Sequence, residues 1–493
     1  MSKDATLITE LSATSHGHRR WLALLVLCLS VLMIVLDSTV MNVALPSIQR
    51  DLAATDRTLV WIVNAYLLTF GGTLLLGGRL GDAFGRRRVF TIGIAVFTCA
   101  SLACALASQA GVLVLARGVQ GLGGAVVMAV ALSLIAALFP EPGERARAMG
   151  VYGFVCAGGG SVGVLLGGGV THVLSWHWVF LINVPVGFLC FGLARSLLSD
   201  ERPSERARRI NGWSGVAVTI ALMCALYGVA NGIDAGWAAG HVLTSLAAAM
   251  CMFAVFWAAE SRANHPLVPF ALVRERNLAV SAVVRILWSA AAAAWSFSGA
   301  LYLQLVLGLS PLKTGIAFLP ANLLMGAFAL GLSARIVMRF GIRVPVLTGL
   351  MLVAAGLGWL ARVPVDGDVL TDVLPAMASV GVGSGIASNP LLLAGVSRVP
   401  EKHLGVASGL LNTASILGGA FGLAVLAGLS YTSTADLLAE GRSHTEALVG
   451  GYRVSFGLGS FCALAAAVIG AGFLRTSHPT EAALGTEVPG RPQ

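Results

Sequence analysis

The sequence predicts an all-α integral membrane protein with fourteen membrane-spanning helices. Its 493 residues are 57% hydrophobic and only 11% charged, and the mean hydropathy is +0.84, far from the average of soluble domains. Fourteen apolar runs have about the 18 or more residues that a membrane-spanning helix needs. Because lipid offers the backbone no hydrogen-bond partners, each run is predicted to be a helix.

The runs fall into groups of six, two and six, separated by the charged loops Asp200–Asn211 and Glu260–Asn277. The first six are Trp21–Val43, Leu59–Gly77, Val89–Ala107, Gly111–Leu138, Met149–Val170 and Val179–Leu198. The middle two are Trp213–Asn231 and His241–Ala259. The last six are Leu278–Leu307, Gly315–Ala334, Pro345–Leu360, Leu370–Val396, Leu404–Leu429 and Gly450–Leu474. The first run is too long for a cleaved signal peptide and carries Asp37 in its interior.

The distribution of basic residues predicts the orientation. Of 32 Lys and Arg residues, two lie within predicted helices and six in loops on one side, and the rest occupy the tails, loops and helix ends of the other side. The positive-inside rule therefore places both termini in the cytoplasm. The net charge of +9 then reflects topology and contact with anionic membrane lipids, not nucleic-acid binding. Arginine far outnumbers lysine, which suggests a GC-rich bacterial genome and a bacterial cell membrane.

Several functional classes lack the residues they would need. There is no nucleophile–base cluster and no paired His or Cys spacing for a metal, so we expect neither an enzyme nor a cofactor. No soluble segment is long enough for a nucleotide-binding domain, so transport would draw on an ion gradient or on the gradient of the substrate. The tails are also too short for a sizeable signalling domain, which argues against a sensor.

The loop between the second and third runs, Gly78-Arg79-Leu80-Gly81-Asp82-Ala83-Phe84-Gly85-Arg86-Arg87-Arg88, is the most informative segment. It resembles the signature loop of the major facilitator superfamily of transporters. A weaker second copy places Arg335, Phe340, Gly341 and Arg343 where Arg79, Phe84, Gly85 and Arg87 stand, with Met338 in the place of Asp82. Paired halves with the substrate site between them are typical of such transporters.

The resemblance implies two six-helix bundles and two additional helices. We expect a cytoplasmic tail at residues 1–20, a first bundle at 21–198, a two-helix insert with cytoplasmic loops at 199–277, a second bundle at 278–474 and a cytoplasmic tail at 475–493. The insert is expected beside the bundles, outside the transport pathway. The loop is expected to form an inner gate built from Gly78, Asp82, Gly85, Arg86, Arg87 and Glu144.

Further motifs resemble those of the fourteen-helix drug:proton antiporters. They are Leu36–Pro46 in the first helix, Leu113–Gly123 in the fourth, the glycines Gly159, Gly163, Gly167 and Gly168 in the fifth, and Trp176–Pro185. Two positions depart from the family pattern, Val164 in place of proline and His177 in place of arginine. Val164 keeps a backbone hydrogen bond that proline would remove, so the fifth helix is predicted to be straighter than in relatives.

Asp37 is the only acidic residue well inside an apolar run, and Arg117 is its natural partner. A carboxylate at this depth must be protonated, paired or hydrated, so Asp37 is a plausible proton site. The structural alternatives are a hydrogen bond that only holds the first helix and, for Arg117, contacts with backbone carbonyls. Arg285, near the start of its helix, is expected to snorkel to the interface.

Polar and aromatic residues on the two bundles are candidates for the substrate cavity. They are Asn42, Trp61, Tyr66, Gln120, Trp288, Trp295, Tyr302, Gln304, Asn322 and Asn389. An apolar, aromatic pocket with a few polar groups suits lipophilic drugs, although Trp and Tyr near helix ends also serve as interfacial anchors. The scarcity of buried carboxylates favours neutral or monocationic substrates over dications.

The sequence therefore predicts a proton-driven antiporter that exports lipophilic drugs or antibiotics by alternating access. Its expected partners are the small-molecule substrate, protons and membrane lipids. The alternatives are a metabolite exporter or importer with different coupling and a membrane sensor on a transporter scaffold.

Overall fold

The computed structural model describes residues 2–198, 212–263, 272, 274–329, 333–400 and 404–474. Within these ranges some helical side chains are not described, among them those at 2–18 and those of Asp82 and Val164. Every regular element in the described ranges is helical. The all-α prediction is therefore confirmed for this part of the chain.

The first six apolar runs lie on seven helices. These are α1 (Ser2–Asp51), α2 (Asp56–Phe84), α3 (Arg86–Ala105), α4 (Ala110–Leu138), α5 (Pro142–Val173), α6 (His177–Leu181) and α7 (Asn183–Leu197). Thr55 begins α2 by accepting a hydrogen bond from the backbone N–H of Thr58. Pro142 stands in the first turn of α5, where a missing N–H has no cost.

The remaining runs also lie on helices. These are α8 (Gly212–Ala235), α9 (Gly240–Ser261), α10 (Arg276–Val306), α11 (Pro311–Ala327), α12 (Ser333–Phe340), α13 (Arg343–Leu360), α14 (Val369–Val396), α15 (Leu404–Ala439) and α16 (His444–Phe473). Two π-helical segments, Ala294–Ser298 and Tyr302–Val306, interrupt α10. Over the described residues, eleven helical stretches are long and apolar enough to cross a membrane. The total of fourteen crossings and the domain boundaries stay predictions.

The largest hydrophobic cluster among the described residues joins the two bundles at one end of the molecule. We call the end where α2 meets α3 the signature-loop end, and the end where α1 meets α2 the opposite end. At the opposite end one cluster joins Val43 and Leu45 of α1 to Leu301, Leu303 and other residues of the second bundle. Toward the signature-loop end the described residues form one core in the first bundle, against which Ile416 of the second also packs, and two cores in the second.

Helix α8 packs along the seam where α2 of the first bundle meets α15 of the second. Leu226 of α8 lies in one cluster with Leu68, Ala420 and Ala424. Arg57 of α2 also donates a hydrogen bond to Asn231 of α8. The first helix of the predicted insert therefore touches both bundles, while α9 packs against α8.

A candidate proton-coupling site in the first bundle

Four helices bring a buried carboxylate, a guanidinium and two amides together. Asp37 lies near the middle of Arg19–Asp51, the part of α1 that is apolar enough to cross a membrane. Arg117 and Gln120 lie one turn apart on α4, and Asn183 is the first residue of α7. The exposed fraction of each is 3% or less. Ser101 of α3 completes the group and is fully buried. We call these five residues the Asp37 cluster.

Both carboxylate oxygens of Asp37 accept hydrogen bonds. Arg117 Nη1 lies 2.5 Å from Oδ2, within a buried salt bridge. Gln120 Nε2 lies 2.8 Å and Asn183 Nδ2 lies 3.0 Å from Oδ1. This geometry satisfies an ionised carboxylate, because an ionised Asp only accepts hydrogen bonds and all three partners are donors here.

The surroundings of Arg117 fix the plane of its guanidinium. Its Cζ lies 4.2 Å from the centre of the Tyr66 ring and 5.7 Å from that of Phe180. Its Nε donates to the carbonyl of Ile62 at 3.3 Å, and Nη1 also donates to Gln120 Oε1 at 2.7 Å. The charge is thus balanced by Asp37 and held by an aromatic face, as a buried arginine requires.

The cluster can link proton binding to helix position. A proton on Oδ2 of Asp37 would replace an acceptor by a donor and so oppose the Arg117 Nη1–H bond. Gln120 would transmit part of that change, because its Nε2 also donates to Ser101 Oγ at 2.8 Å. Protonation of one carboxylate would therefore loosen contacts among α1, α3, α4 and α7.

The structure confirms the predicted proximity of Asp37 and Arg117 and adds partners that the sequence reasoning missed. Tyr66 and Gln120, which were predicted as candidates for the substrate cavity, lie in contact with the buried pair. Asn183 lies within the recognised stretch Trp176–Pro185, which was an available signal. Ser101 gave no signal, because a serine in an apolar run usually bonds its own helix, as this one also does to the carbonyl of Phe97.

The other cavity candidates are distributed over several parts of the structure. Tyr302 is 1% exposed and its hydroxyl donates to the carbonyl of Pro364, so it belongs to the shared core. Gln304 joins the bundles by donating to the carbonyl of Val43 at 3.0 Å. Asn389 is exposed and donates to the carbonyl of Ala329. Trp61 lies against Tyr227 of α8, while Asn42, Asn322, Trp288 and Trp295 are half-buried.

The expected inner gate is described only in part. Gly85 separates α2 from α3 with φ 96°, a conformation that favours glycine, whereas Gly78 has open space around it. Arg86 and Arg87 are half-buried, and the side chain of Asp82 lies outside the described residues. Glu144 forms a salt bridge of 3.4 Å with Arg20, a partner that the sequence reasoning did not foresee.

The glycines of α5 form the surface on which α1 lies. A Cβ on Gly159 would meet Val35 at 3.0 Å, and one on Gly167 would meet Val40 at 2.5 Å. Gly163 lies against Leu36 and Thr39 in the same way. Gly168 faces the second bundle instead, since a Cβ there would lie 2.6 Å from the carbonyl oxygen of Pro311.

The interpretation of Arg285 as a snorkelling residue is wrong. It is 8% exposed, and its Nη1 donates to Ser415 Oγ of α15 at 3.2 Å. The side chain therefore lies between two helices of the second bundle. The rotation of α10 about its axis decides whether Arg285 points to the membrane surface or between helices, and sequence alone does not give that rotation.

Comparisons with known proteins agree with this arrangement. The sequence model of the Major Facilitator Superfamily matches residues 27–423. The puromycin resistance protein of Streptomyces alboniger is 38% identical over 452 residues, covering 91% of this chain and 90% of that protein. The cephamycin export protein of Amycolatopsis lactamdurans is 35% identical, covering 89% and 90%. The tetracenomycin C resistance and export protein of Streptomyces glaucescens is 34% identical, covering 87% and 79%.

Two solved structures share the fold at low sequence identity. An auto-inhibited peptide transporter of the POT family has a TM-score of 0.65 at 15% identity, covering 90% of this chain and 96% of that one. A D-xylose–proton symporter has a TM-score of 0.64 at 14% identity, covering 92% and 98%.

Proposed function

Because this chain belongs to the major facilitator superfamily of membrane transporters, we propose that it is a proton-driven antiporter that exports lipophilic drugs or antibiotics across the bacterial cytoplasmic membrane. Relatives that match most of the chain are described as antibiotic resistance or export proteins, which supports the substrate class and the direction.

The observation that carries the proposal is the Asp37 cluster. It supplies a single carboxylate near the middle of the apolar part of α1, isolated from water and balanced by one guanidinium. Such a pair costs free energy to bury unless its contacts are well formed, and intramembrane ionisable residues mark ion or proton pathways. A proton taken up by Asp37 would weaken its bond to Arg117, and its release would restore that bond.

The two ends of the molecule take different parts in the proposed cycle. The positive-inside rule assigns the signature-loop end to the cytoplasm. The shared core at the opposite end then corresponds to a state closed to the outside, in which Asp37 has released its proton and a drug can enter from the cytoplasm. We propose that Asp82, Arg86, Arg87 and Glu144 hold the cytoplasmic end closed in the other state.

The experiment that tests the proposal is uptake of an aromatic drug, for example tetracenomycin C, into everted membrane vesicles with and without an imposed pH gradient. Asp37→Asn keeps the shape of the side chain and removes its titratable group. We expect gradient-driven accumulation to fall at least tenfold, while downhill equilibration persists and the protein remains in the membrane.

The matched control is Asp51→Asn at the end of the same helix, where the carboxylate accepts a hydrogen bond from Trp176. It should retain gradient-driven accumulation. Full accumulation by Asp37→Asn would refute the proton-carrying role, and equal uptake with and without the gradient by the wild type would refute proton coupling itself.

A further inference from the structure

Three N–H donors on one helix of the second bundle have no hydrogen-bond partner among the described residues. They are Arg285 Nε, Trp288 Nε1 and Trp295 Nε1, and all three atoms are buried. Arginine and tryptophan side chains only donate hydrogen bonds. Because a buried donor without an acceptor is unfavourable, this group of donors is suited to a ligand rich in acceptors.

The donors lie on one side of α10. Their spacing of three and seven residues returns to roughly the same side of a helix. The Trp295 ring centre lies 5.3 Å from that of Phe318, so the same region offers aromatic surfaces. We call Arg285, Trp288 and Trp295 the donor face.

The donor face carries an unbalanced positive charge. Only 8% of Arg285 is exposed. Within the described residues its one hydrogen-bond partner is the neutral Ser415. Two buried carboxylates are described, and neither balances it. Asp37 is held by Arg117 in the other bundle, and Glu260 lies at the end of α9, outside both bundles.

The donor face extends from a core of the second bundle to the core that both bundles share. Arg285 lies nine residues from the start of α10, about 13 Å along its axis. At this depth, on the side of the signature-loop end, each bundle has its own main core, and Ile416 of α15 also packs against that of the first. Trp288 packs against both a core of the second bundle and the shared core. A molecule that enters between the bundles and displaces the packed side chains would meet these donors, which are buried in this structure.

We infer that the donor face binds the acidic group of an amphipathic aromatic anion. The planar guanidinium of Arg285 pairs with a carboxylate, for which its geometry is well matched, and Trp288 and Trp295 contact the ring system and donate to further acceptors. The inference rests on the proposed function in that the anion is the exported substrate. It replaces the expectation of neutral or monocationic compounds, because the described bundles offer a free buried cation and no free buried carboxylate.

The test is equilibrium binding to the purified protein in a nonionic detergent, followed by tryptophan fluorescence. The probes are pyrenebutyric acid, its methyl ester and pyrenebutylamine, which share one ring system and differ in charge. The wild type should bind the acid at least tenfold more tightly than the ester, and the amine most weakly. An equal or reversed order in the wild type overturns the inference without any variant.

Variants assign the preference to one residue. Arg285→Gln should bring the affinity for the acid to that for the ester and leave the ester unchanged, whereas Arg285→Lys should keep part of the preference. The matched control is Arg276→Gln, an exposed position at the start of the same helix, which should keep all of it. An unchanged acid-to-ester ratio in Arg285→Gln overturns the inference, as does a preference lost equally in Arg276→Gln.

Two further measurements complete the test. The first distinguishes a drug from a lipid as the source of the anion, and the second distinguishes this inference from the proposal of proton coupling. Added phosphatidylglycerol should not displace pyrenebutyric acid, and displacement that disappears in Arg285→Gln would assign the site to a lipid headgroup and overturn the inference. Asp37→Asn should retain the acid preference, because binding is measured without a gradient. The preference for the acid would therefore persist if proton coupling were refuted. Proton coupling could likewise be found in a protein that shows no preference for the acid.

Discussion

At the scale of single residues, the state of Asp37 depends on how many donors surround it. Three N–H groups from Arg117, Gln120 and Asn183 approach its two oxygens within 3.0 Å. Removing one member of such a buried charge pair costs about 3–5 kcal/mol, because the other charge is left without compensation. These contacts stabilise the ionised form of Asp37, so protonation of Asp37 would change the hydrogen bonds between the helices that carry them.

Replacement of Arg117 by lysine tests whether geometry matters beyond charge. Lysine keeps the charge, but its one nitrogen cannot take both the Nη1 position, which serves Asp37 and Gln120, and the Nε position, which serves the Ile62 carbonyl. It also lacks a plane to lie against Tyr66. Losing one hydrogen bond to a charged group costs about 1.5–3 kcal/mol. We therefore expect Arg117→Lys to lower both the thermal stability and the gradient-driven transport.

The measurement is thermal unfolding of the purified variant beside vesicle uptake, with Arg50→Lys as the control. Arg50 lies at the end of α1, away from the Asp37 cluster, and its Nε donates to the carbonyl of Pro46. Near-normal stability and transport in Arg117→Lys would mean that charge alone is required at this position.

At the scale of helices, the contact between α1 and α5 determines where Asp37 lies. Gly159, Gly163 and Gly167 allow α5 to approach α1 along the turns on both sides of Asp37. Small residues permit such close packing between membrane helices. The glycine motif and Asp37 therefore lie on one pair of packed helices.

Gly167→Ala should displace α1, because the added Cβ would lie 2.5 Å from Val40 Cγ1 and 2.9 Å from Val40 Cα. Overpacking of this kind costs about 1–3 kcal/mol, and we expect lower thermal stability together with slower gradient-driven transport. The matched control is Gly150→Ala on the same helix, which has open space and should be neutral or slightly stabilising. Equal effects of the two substitutions would show that the α1–α5 contact is not special.

At the scale of the whole molecule, the shared core at the opposite end defines the state that the structure represents. Gln304 bonds the backbone of α1 across the two bundles, and Gly168 lets α5 approach the start of α11. These contacts must separate if the bundles are to open at this end. They are therefore the contacts whose loss should shift the balance between the two states.

Gly168→Leu should oppose closure at the opposite end, because even its Cβ would lie 2.6 Å from the Pro311 oxygen and 3.1 Å from Leu312 Cα. Labelling of Asn42→Cys by an impermeant maleimide from outside should become several-fold faster, in a background without the exposed Cys99 and Cys251. Gly169→Leu is the control, since its Cβ would meet only the flexible Leu312 side chain at 3.9 Å. Unchanged labelling in Gly168→Leu would show that this contact does not hold the state.

The sequence by itself determined the class of protein, the positions of the helices and the identity of the central charge pair. Hydropathy is a local property, so each apolar run could be located from its own residues. Asp37 and Arg117 were found for a related reason, since a charge inside an apolar run is rare and needs a partner. The specific loops and motifs identified the family in the same local way.

Only the tertiary structure decided which residues meet. Asp37 reaches Arg117 over 80 positions of sequence and Asn183 over 146, and Gln120, Tyr66 and Ser101 join them because of how α2, α3 and α4 are rotated. The burial of Arg285, the place of α8 on the seam between the bundles and the shared core at one end have the same origin. Periodicity shows that a run is a helix, but which of its faces touches a neighbour depends on the packing of all the helices together.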